Sequence, residues 1–459
     1  MNLYRPIYHF MPEKNWMNDP NGLVYYKGEY HMFYQYNPNG IEWGTIHWGH
    51  AKSKDLIHWE HLPVALYPSK EKGETHCFSG CCVVNNEEPT IFYTSIGEDE
   101  RNPRIGAQQW MAISKDNMYT WEKYDKNPVL SLDLHGDMDV KEWRDPFLWK
   151  EEELWYMVLG GSHNDKGCVF IYKSTNLKEW KFLNVLDEGN EYAWECPNFI
   201  KLCDKYVLIY SPYDEVKYSI GTINSDYKFM VEARGIVDNS GKEGFYAPNS
   251  LVDNTGRRIM FGWLKETARG KLKAGEWAGV QSVPRILTIE DNTLHMEPAE
   301  ELQILRKNHK KYENIDISES WEPETKGKAL EIIVEFNIDD DIKEFSIDLL
   351  ASKDNEEKTS LVYSTENNSL SVDRSKSSAS NLTDKSKLET DFSLKDGETL
   401  KLHIFIDYST VEVFANYKKC ISARVYPMKV DSENIKISVL EGDKLKLKSF
   451  DIWQMNSIW

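Results

Sequence analysis

Three carboxylates stand in short motifs of one form. Asp19 lies in Trp16-Met17-Asn18-Asp19-Pro20-Asn21-Gly22, Asp145 in Arg144-Asp145-Pro146 and Glu195 in Glu195-Cys196-Pro197. Each acidic residue is followed within two places by a proline and then by an apolar or aromatic run. Two carboxylates held close together are the minimum equipment for cleaving a glycosidic bond. One must be ionised to attack an anomeric carbon, and another must hold a proton for the departing oxygen. A third can steady the positive charge that develops on the sugar.

Local sequence distributes these roles only loosely. Asn18-Asp19-Pro20-Asn21-Gly22 is rich in turn formers, so Asp19 on its own also reads as part of a turn. Arg144 would keep the adjacent Asp145 ionised, or would form a structural ion pair with it. Trp194 and Tyr192 surround Glu195 with apolar area, which favours the protonated form of a carboxyl and suits a general acid. An ordinary exposed glutamate is the plainer reading of the same residues. The parallel placement of all three carboxylates is what favours chemistry.

That placement comes from a repeat. Over the first 295 or so residues, units of 50 to 66 residues follow one plan, which points to the blades of a propeller. Each unit shows a strand, a polar turn and an aromatic strand, as in Gly22 to Tyr26, Lys27-Gly28-Glu29 and Tyr30 to Tyr34. Such short β-rich runs separated by turn residues are hairpin signatures. A second mark is a Ser-x-Asp/Asn segment leading to an aromatic: Ser53 and Asp55 with Trp59, Ser114 and Asp116 with Trp121, Ser174 and Asn176 with Trp180. These read as outer turns with the aromatic packed inward. The units start at Asp19, Ser79, Asp145, Glu195 and Tyr246, at intervals of 60, 66, 50 and 51 residues. Five starts predict five blades, with the innermost strands facing one central channel. Residues 1–297 are thus expected to form the propeller. Residues 298–324 read as a short helix and charged linker, and residues 325–459 as a β-sandwich of alternating strands. The expected fold class is all-β.

Composition narrows the partners. A net charge of −19 disfavours nucleic acid and anionic membranes. Aromatic residues make up 13% of the chain, with 16 Trp and 25 Tyr, which suits stacking on sugar faces and equally a large β core. The seven cysteines show no zinc-type spacing, so free, mostly buried thiols in a reducing compartment are expected. No apolar run approaches the 18 residues of a membrane span, and Met1 to His9 lacks an apolar signal core. The expectation is a cytoplasmic protein acting on a small sugar, with no metal and no cofactor. Its oligomeric state is open.

The motifs together resemble glycoside hydrolase family 32, the β-fructofuranosidases. The resemblance rests on Trp16 to Gly22, Tyr34-Gln35-Tyr36-Asn37-Pro38, Trp48-Gly49-His50, Phe78-Ser79-Gly80, Trp143-Arg144-Asp145-Pro146, Trp194-Glu195-Cys196-Pro197 and Ser282-Val283-Pro284-Arg285. It spans essentially the whole chain. It implies a five-bladed propeller followed by a β-sandwich. It also implies Asp19 as nucleophile, Glu195 as acid/base and Asp145 as transition-state stabiliser. Asn18, Gln35, Trp43, Phe78, Ser79, Arg144, Tyr246 and Trp263 match positions lining the fructose pocket. Cys196 matches a cysteine beside the acid, where it tunes Glu195 or simply packs. The implied reaction is retaining hydrolysis of terminal β-fructofuranosides such as sucrose. A basic cluster, Lys265, Arg269, Lys271 and Lys273, leaves sucrose 6-phosphate hydrolysis as an alternative. A non-catalytic sugar-binding propeller and an inverting pentosidase are further alternatives. Two departures from the family pattern, Asn198 and the segment Ala247-Pro248-Asn249, are expected near the site rim, where they put the leaving-group preference in question.

Overall fold

In the computed structural model, described over residues 4–97, 106–268 and 276–459, the chain is built almost wholly of strands. Five antiparallel sheets follow one another up to Pro298. Their leading strands are Asn15–Tyr26, Glu74–Asn85, Val140–Glu151, Glu195–Leu202 and Phe245–Val252. Each leading strand neighbours the next, and the fifth neighbours the first, so the strands close a ring. The short strand Trp277–Ala278, which follows the fifth sheet's second strand, pairs in parallel with Asn15 and Trp16 of the first sheet. The last sheet is thereby clasped to the first, as closure of a propeller requires.

The sequence explains the local geometry. Tight turns between strands place non-glycine residues at positive φ, as at Asn86 and Glu87, the conformation that two-residue hairpin turns need. The Ser-x-Asp segments form the expected turns. Asp55 Oδ1 accepts the N–H groups of Ile57 and His58 at 3.0 and 2.8 Å, and Asn176 Oδ1 accepts those of Lys178 and Glu179 at 3.0 and 2.9 Å. Trp59 and Trp180 are buried beside them, and Trp121 is partly buried. Among the described residues, no helix is long and apolar enough to cross a membrane.

Two six-stranded sheets make up the C-terminal part, and they share one core that includes Ile332, Val334, Ile404 and Val413 from one sheet and Phe345, Ile347, Leu361 and Val372 from the other. This is the layout of a β-sandwich. The expected linker corrects here. Glu300–Leu305 is a single 3₁₀ segment that buries Leu302 and Leu305, and the charged stretch after it is a strand, Arg306–Ile317. It pairs along its length with the final strand, Leu445–Met455, at the edge of the first sheet. Its lysines, Lys307, Lys310 and Lys311, are exposed, and charged side chains are what protects an edge strand from further pairing. Tyr312, Ile315 and Ile317 still reach the core.

Candidate active site

Each leading strand carries a register shift, and the shifts fall on the residues that sequence reading singled out. The pairing skips at Asn18-Asp19, Phe78-Ser79, Asp145-Pro146, Cys196-Pro197 and Ala247-Pro248. In a regular strand, consecutive side chains point to opposite faces. A bulge re-aims them. Asn18 and Asp19 therefore line the same cavity, as do Arg144 and Asp145. Asp145, Cys196 and Ala247, each directly before a proline, have φ of 61, 48 and 46°. Three non-glycine residues in the left-handed region at matching places mark strain concentrated at one end of the ring.

The cavity there has a volume of about 360 Å³, a size that suits a small sugar. Ten of the residues singled out in the sequence line it: Asn18, Asp19, Gln35, Trp43, Phe78, Arg144, Asp145, Glu195, Tyr246 and Trp263. Ser79 and Cys196 stand behind the carboxylates instead. Trp43 forms an exposed rim, 53% accessible, and its ring stacks on His76 with centroids 5.2 Å apart.

Asp19 is held by both oxygens. Ser79 Oγ donates to Oδ2 at 2.6 Å and Asn18 Nδ2 donates to Oδ1 at 3.0 Å. Asn18 Nδ2 also donates to Gln35 Oε1 at 2.8 Å, and the Gln35 amide donates in turn to Ser79 Oγ. Trp16 Nε1 fixes Asn18 Oδ1 at 2.8 Å. This closed ring of side chains leaves Asp19 one orientation. Burial raises its carboxyl above the ordinary value, and the Ser79 hydrogen bond opposes that rise.

Glu195 is held from two other strands. Tyr246 donates its hydroxyl to Oε2 at 2.7 Å, and the Arg144 guanidinium lies 3.0 Å from Oε1. Burial and the neighbouring Glu195 carboxyl push the Tyr246 hydroxyl far above its usual range, so it remains a donor. Arg144 also reaches Glu142 at 3.0 Å and the Tyr213 hydroxyl.

Asp145 accepts the backbone N–H of Cys196 at 2.9 Å, while its own N–H donates to Thr94 Oγ1 at 2.9 Å. Its carboxyl is raised to about 7: burial outweighs the lowering by Arg144, and Glu195 adds to the rise. The expectation that Arg144 would keep Asp145 ionised thus gives way to burial. The Cys196 thiol bridges the two aspartates, 3.5 Å from Asp19 Oδ2 and from Asp145 Oδ2.

Two expectations change place. Asn198 and Asn249 do not lie at the rim. They brace neighbouring leading strands below the cavity: Asn198 donates to Pro248 O at 2.8 Å and accepts from Ser250 at 2.9 Å, and Asn249 accepts from Leu23 N at 3.3 Å. Among the basic cluster, Lys265 is described, whereas Arg269, Lys271 and Lys273 lie outside the described residues. His76, Ile96 and Tyr213 line the cavity and were not anticipated.

Paired, separately oriented carboxyls in a sugar-sized cavity at the mouth of a propeller define a glycoside hydrolase. Comparison with known proteins agrees. Residues 9–298 match the glycosyl hydrolases family 32 N-terminal domain, and residues 301–454 match the family 32 C-terminal domain. The chain belongs to glycosyl hydrolase family 32. It is 32% identical to a sucrose-6-phosphate hydrolase of Escherichia coli, covering 94% of this chain and 91% of that protein. It is 34% identical to a levanase of Bacillus subtilis, over 99% of this chain and 71% of that one. Among solved structures, the fructan 1-exohydrolase IIa of Cichorium intybus superposes with a TM-score of 0.89 at 27% identity, covering 99% of this chain and 98% of that one.

Proposed function

We propose that this enzyme releases fructose from terminal β-D-fructofuranosides by double displacement at the mouth of a five-bladed propeller. The observation that carries the reading is the opposed mounting of Asp19 and Glu195 in one cavity: one is gripped by Ser79 and Asn18, the other by Tyr246 and Arg144. Asp19 attacks the anomeric carbon while Glu195 gives its proton to the departing glycosidic oxygen. Water then enters, Glu195 takes its proton, and the fructosyl–Asp19 ester is cleaved. Asn18, Gln35, Phe78 and Trp263 surround the fructosyl ring, and Trp43 offers a platform to the leaving group. The names of the relatives, all enzymes of fructosides, support this substrate class, and a cytoplasmic setting with imported short sugars fits it. Retention requires the two carboxyls to stand about 5–5.5 Å apart. Methanolysis of sucrose should accordingly yield methyl β-D-fructofuranoside, and the α-anomer as product would overturn the nucleophile assignment.

Asp145 stabilises the developing cation. Asp145→Asn should lower kcat/KM on sucrose by roughly 10²- to 10³-fold, because a neutral amide stabilises positive charge poorly. The wild-type rate should also fall as pH drops through about 7, where the buried Asp145 takes up a proton. A pH profile of Asp145→Asn against wild type tests both, and near-normal turnover would remove Asp145 from the mechanism.

The leaving group is glucose rather than glucose 6-phosphate in our reading. Lys265 directs its ammonium onto aromatic rings and to the Lys242 carbonyl. Fructose release from sucrose, sucrose 6-phosphate, 1-kestose and inulin should rank sucrose at or near the top. A preference for sucrose 6-phosphate above roughly tenfold, the size of one charge-assisted contact, would reverse that choice.

A further inference from the structure

Lys265 directly follows the strand Arg258–Leu264, and its N–H donates to Gly244 O at 3.1 Å, beside the strand that carries Tyr246. Its ammonium lies 4.0 Å from the centroid of the Tyr246 ring and 5.8 Å from that of Trp263. The hydroxyl of the same tyrosine donates to Glu195 at 2.7 Å. A cation, an aromatic ring and the acid thus form one series.

We propose that Lys265 is a positioning residue for the acid: its charge, seated on the Tyr246 ring, strengthens the hydrogen bond from the tyrosine hydroxyl to Glu195 and readies that carboxyl to release its proton. The inference rests on the reading of Glu195 as the general acid. A cation over a phenol ring is attracted to its π face. The same field stabilises the negative charge left as the hydroxyl proton moves toward its acceptor, so the hydroxyl becomes a better donor. Hydrogen bonding to the ionised form of a carboxyl favours that form. A proton given up more readily is delivered more readily to a poor leaving group.

Other groups face Glu195 as well. Arg144 approaches from the third leading strand, with Asp145 beside it, and Tyr213 and Glu142 reach the acid through Arg144. Asp19 comes from the first leading strand. Lys265 itself senses the site: burial lowers its ammonium, and Glu243, Glu195 and Asp19 pull it back up against Lys242.

The test pairs two substrates that differ in their need for an acid. The glucose of sucrose departs as an alkoxide unless protonated, whereas the aryl group of p-nitrophenyl β-D-fructofuranoside departs as a stable phenolate. Lys265→Met and Lys265→Gln should lose roughly three- to tenfold in kcat/KM on sucrose, and the alkaline limb of the sucrose pH profile should move up by about one unit. The aryl fructoside should change by less than about twofold. Lys265→Arg, which keeps the charge, should restore the sucrose rate and the limb. Equal losses on both substrates would overturn the proposal, since Lys265 would then hold the fructosyl ring or the fold. An unchanged sucrose profile overturns it, and so does a loss confined to sucrose 6-phosphate. Wild-type enzyme that frees fructose from neither substrate would remove the functional reading and this inference with it.

Discussion

Asp19→Ala is expected to cut fructose release from sucrose by roughly 10⁴-fold or more while the protein stays folded. Among the described residues, the nucleophile has no understudy in the cavity. Asp145 is oriented by the Cys196 N–H on the neighbouring strand, and Glu195 is tied to Tyr246 and Arg144. Stability should hold or rise, because burial raises the Asp19 carboxyl above its ordinary value and so marks the site as unfavourable for its charge. Glu195→Ala should behave differently. General acid catalysis contributes roughly 10²- to 10⁴-fold on a poor leaving group and much less on a good one. Its loss should therefore be severe on sucrose and mild for the first step on the aryl fructoside. Parallel kinetics with thermal melts separate the two roles. If Asp19→Ala and Glu195→Ala lose activity equally on both substrates, the assignment of nucleophile and acid cannot stand.

The carboxylates were legible in the sequence because chemistry and punctuation coincide: an acid before a proline recurs at the interval of the repeat. The bulges that aim them were not, since a register shift is a property of two strands and appears in neither alone. Asp145 shows the consequence. Arg144 does act to keep it ionised, but the guanidinium sits on Glu195 and Glu142, and the burial of Asp145 outweighs it. His76 was within reach of the sequence. It lies two residues before Phe78 on one strand, hence on the same face. Tyr213 was not, because it enters from a loop after the strand Lys205–Ser211 and only the closed ring brings it to Arg144. The strand Arg306–Ile317 was hidden by its charge, since an edge strand satisfies its backbone on one side and needs few apolar residues.

A second large effect is expected far from the chemistry, where the N-terminal segment, the propeller and the sandwich meet. Arg285 is fully buried, and its Nη2 donates to Asp238 at 2.8 Å, to Glu412 at 2.6 Å and to Ser422 at 2.9 Å. The rings of Phe245 and Phe414 flank the guanidinium at 4.3 and 5.2 Å. Glu412 also accepts from Val283 N at 2.7 Å and contacts His9 Nε2 at 3.0 Å, while His9 Nδ1 meets Asp407 at 2.9 Å. Arg285→Met would take the guanidinium from two buried carboxylates and leave only His9 facing Glu412, a change that costs about 3–5 kcal/mol. Arg285→Met combined with Glu412→Gln should recover part of the loss, because the second change removes one of the stranded charges. The same network carries a pH signature. Burial alone would lower His9, but its hydrogen bonds to Asp407 and Glu412 raise it from 6.5 to about 9. The unfolded state loses this proton near pH 6.5 and the folded state near 9, so the contribution is complete below about 6.5 and lost as pH climbs through about 9. Wild-type thermal stability should fall across that window, and His9→Asn should flatten the fall. An Arg285→Met protein as stable as wild type would mean that the interface is held by its apolar contacts alone.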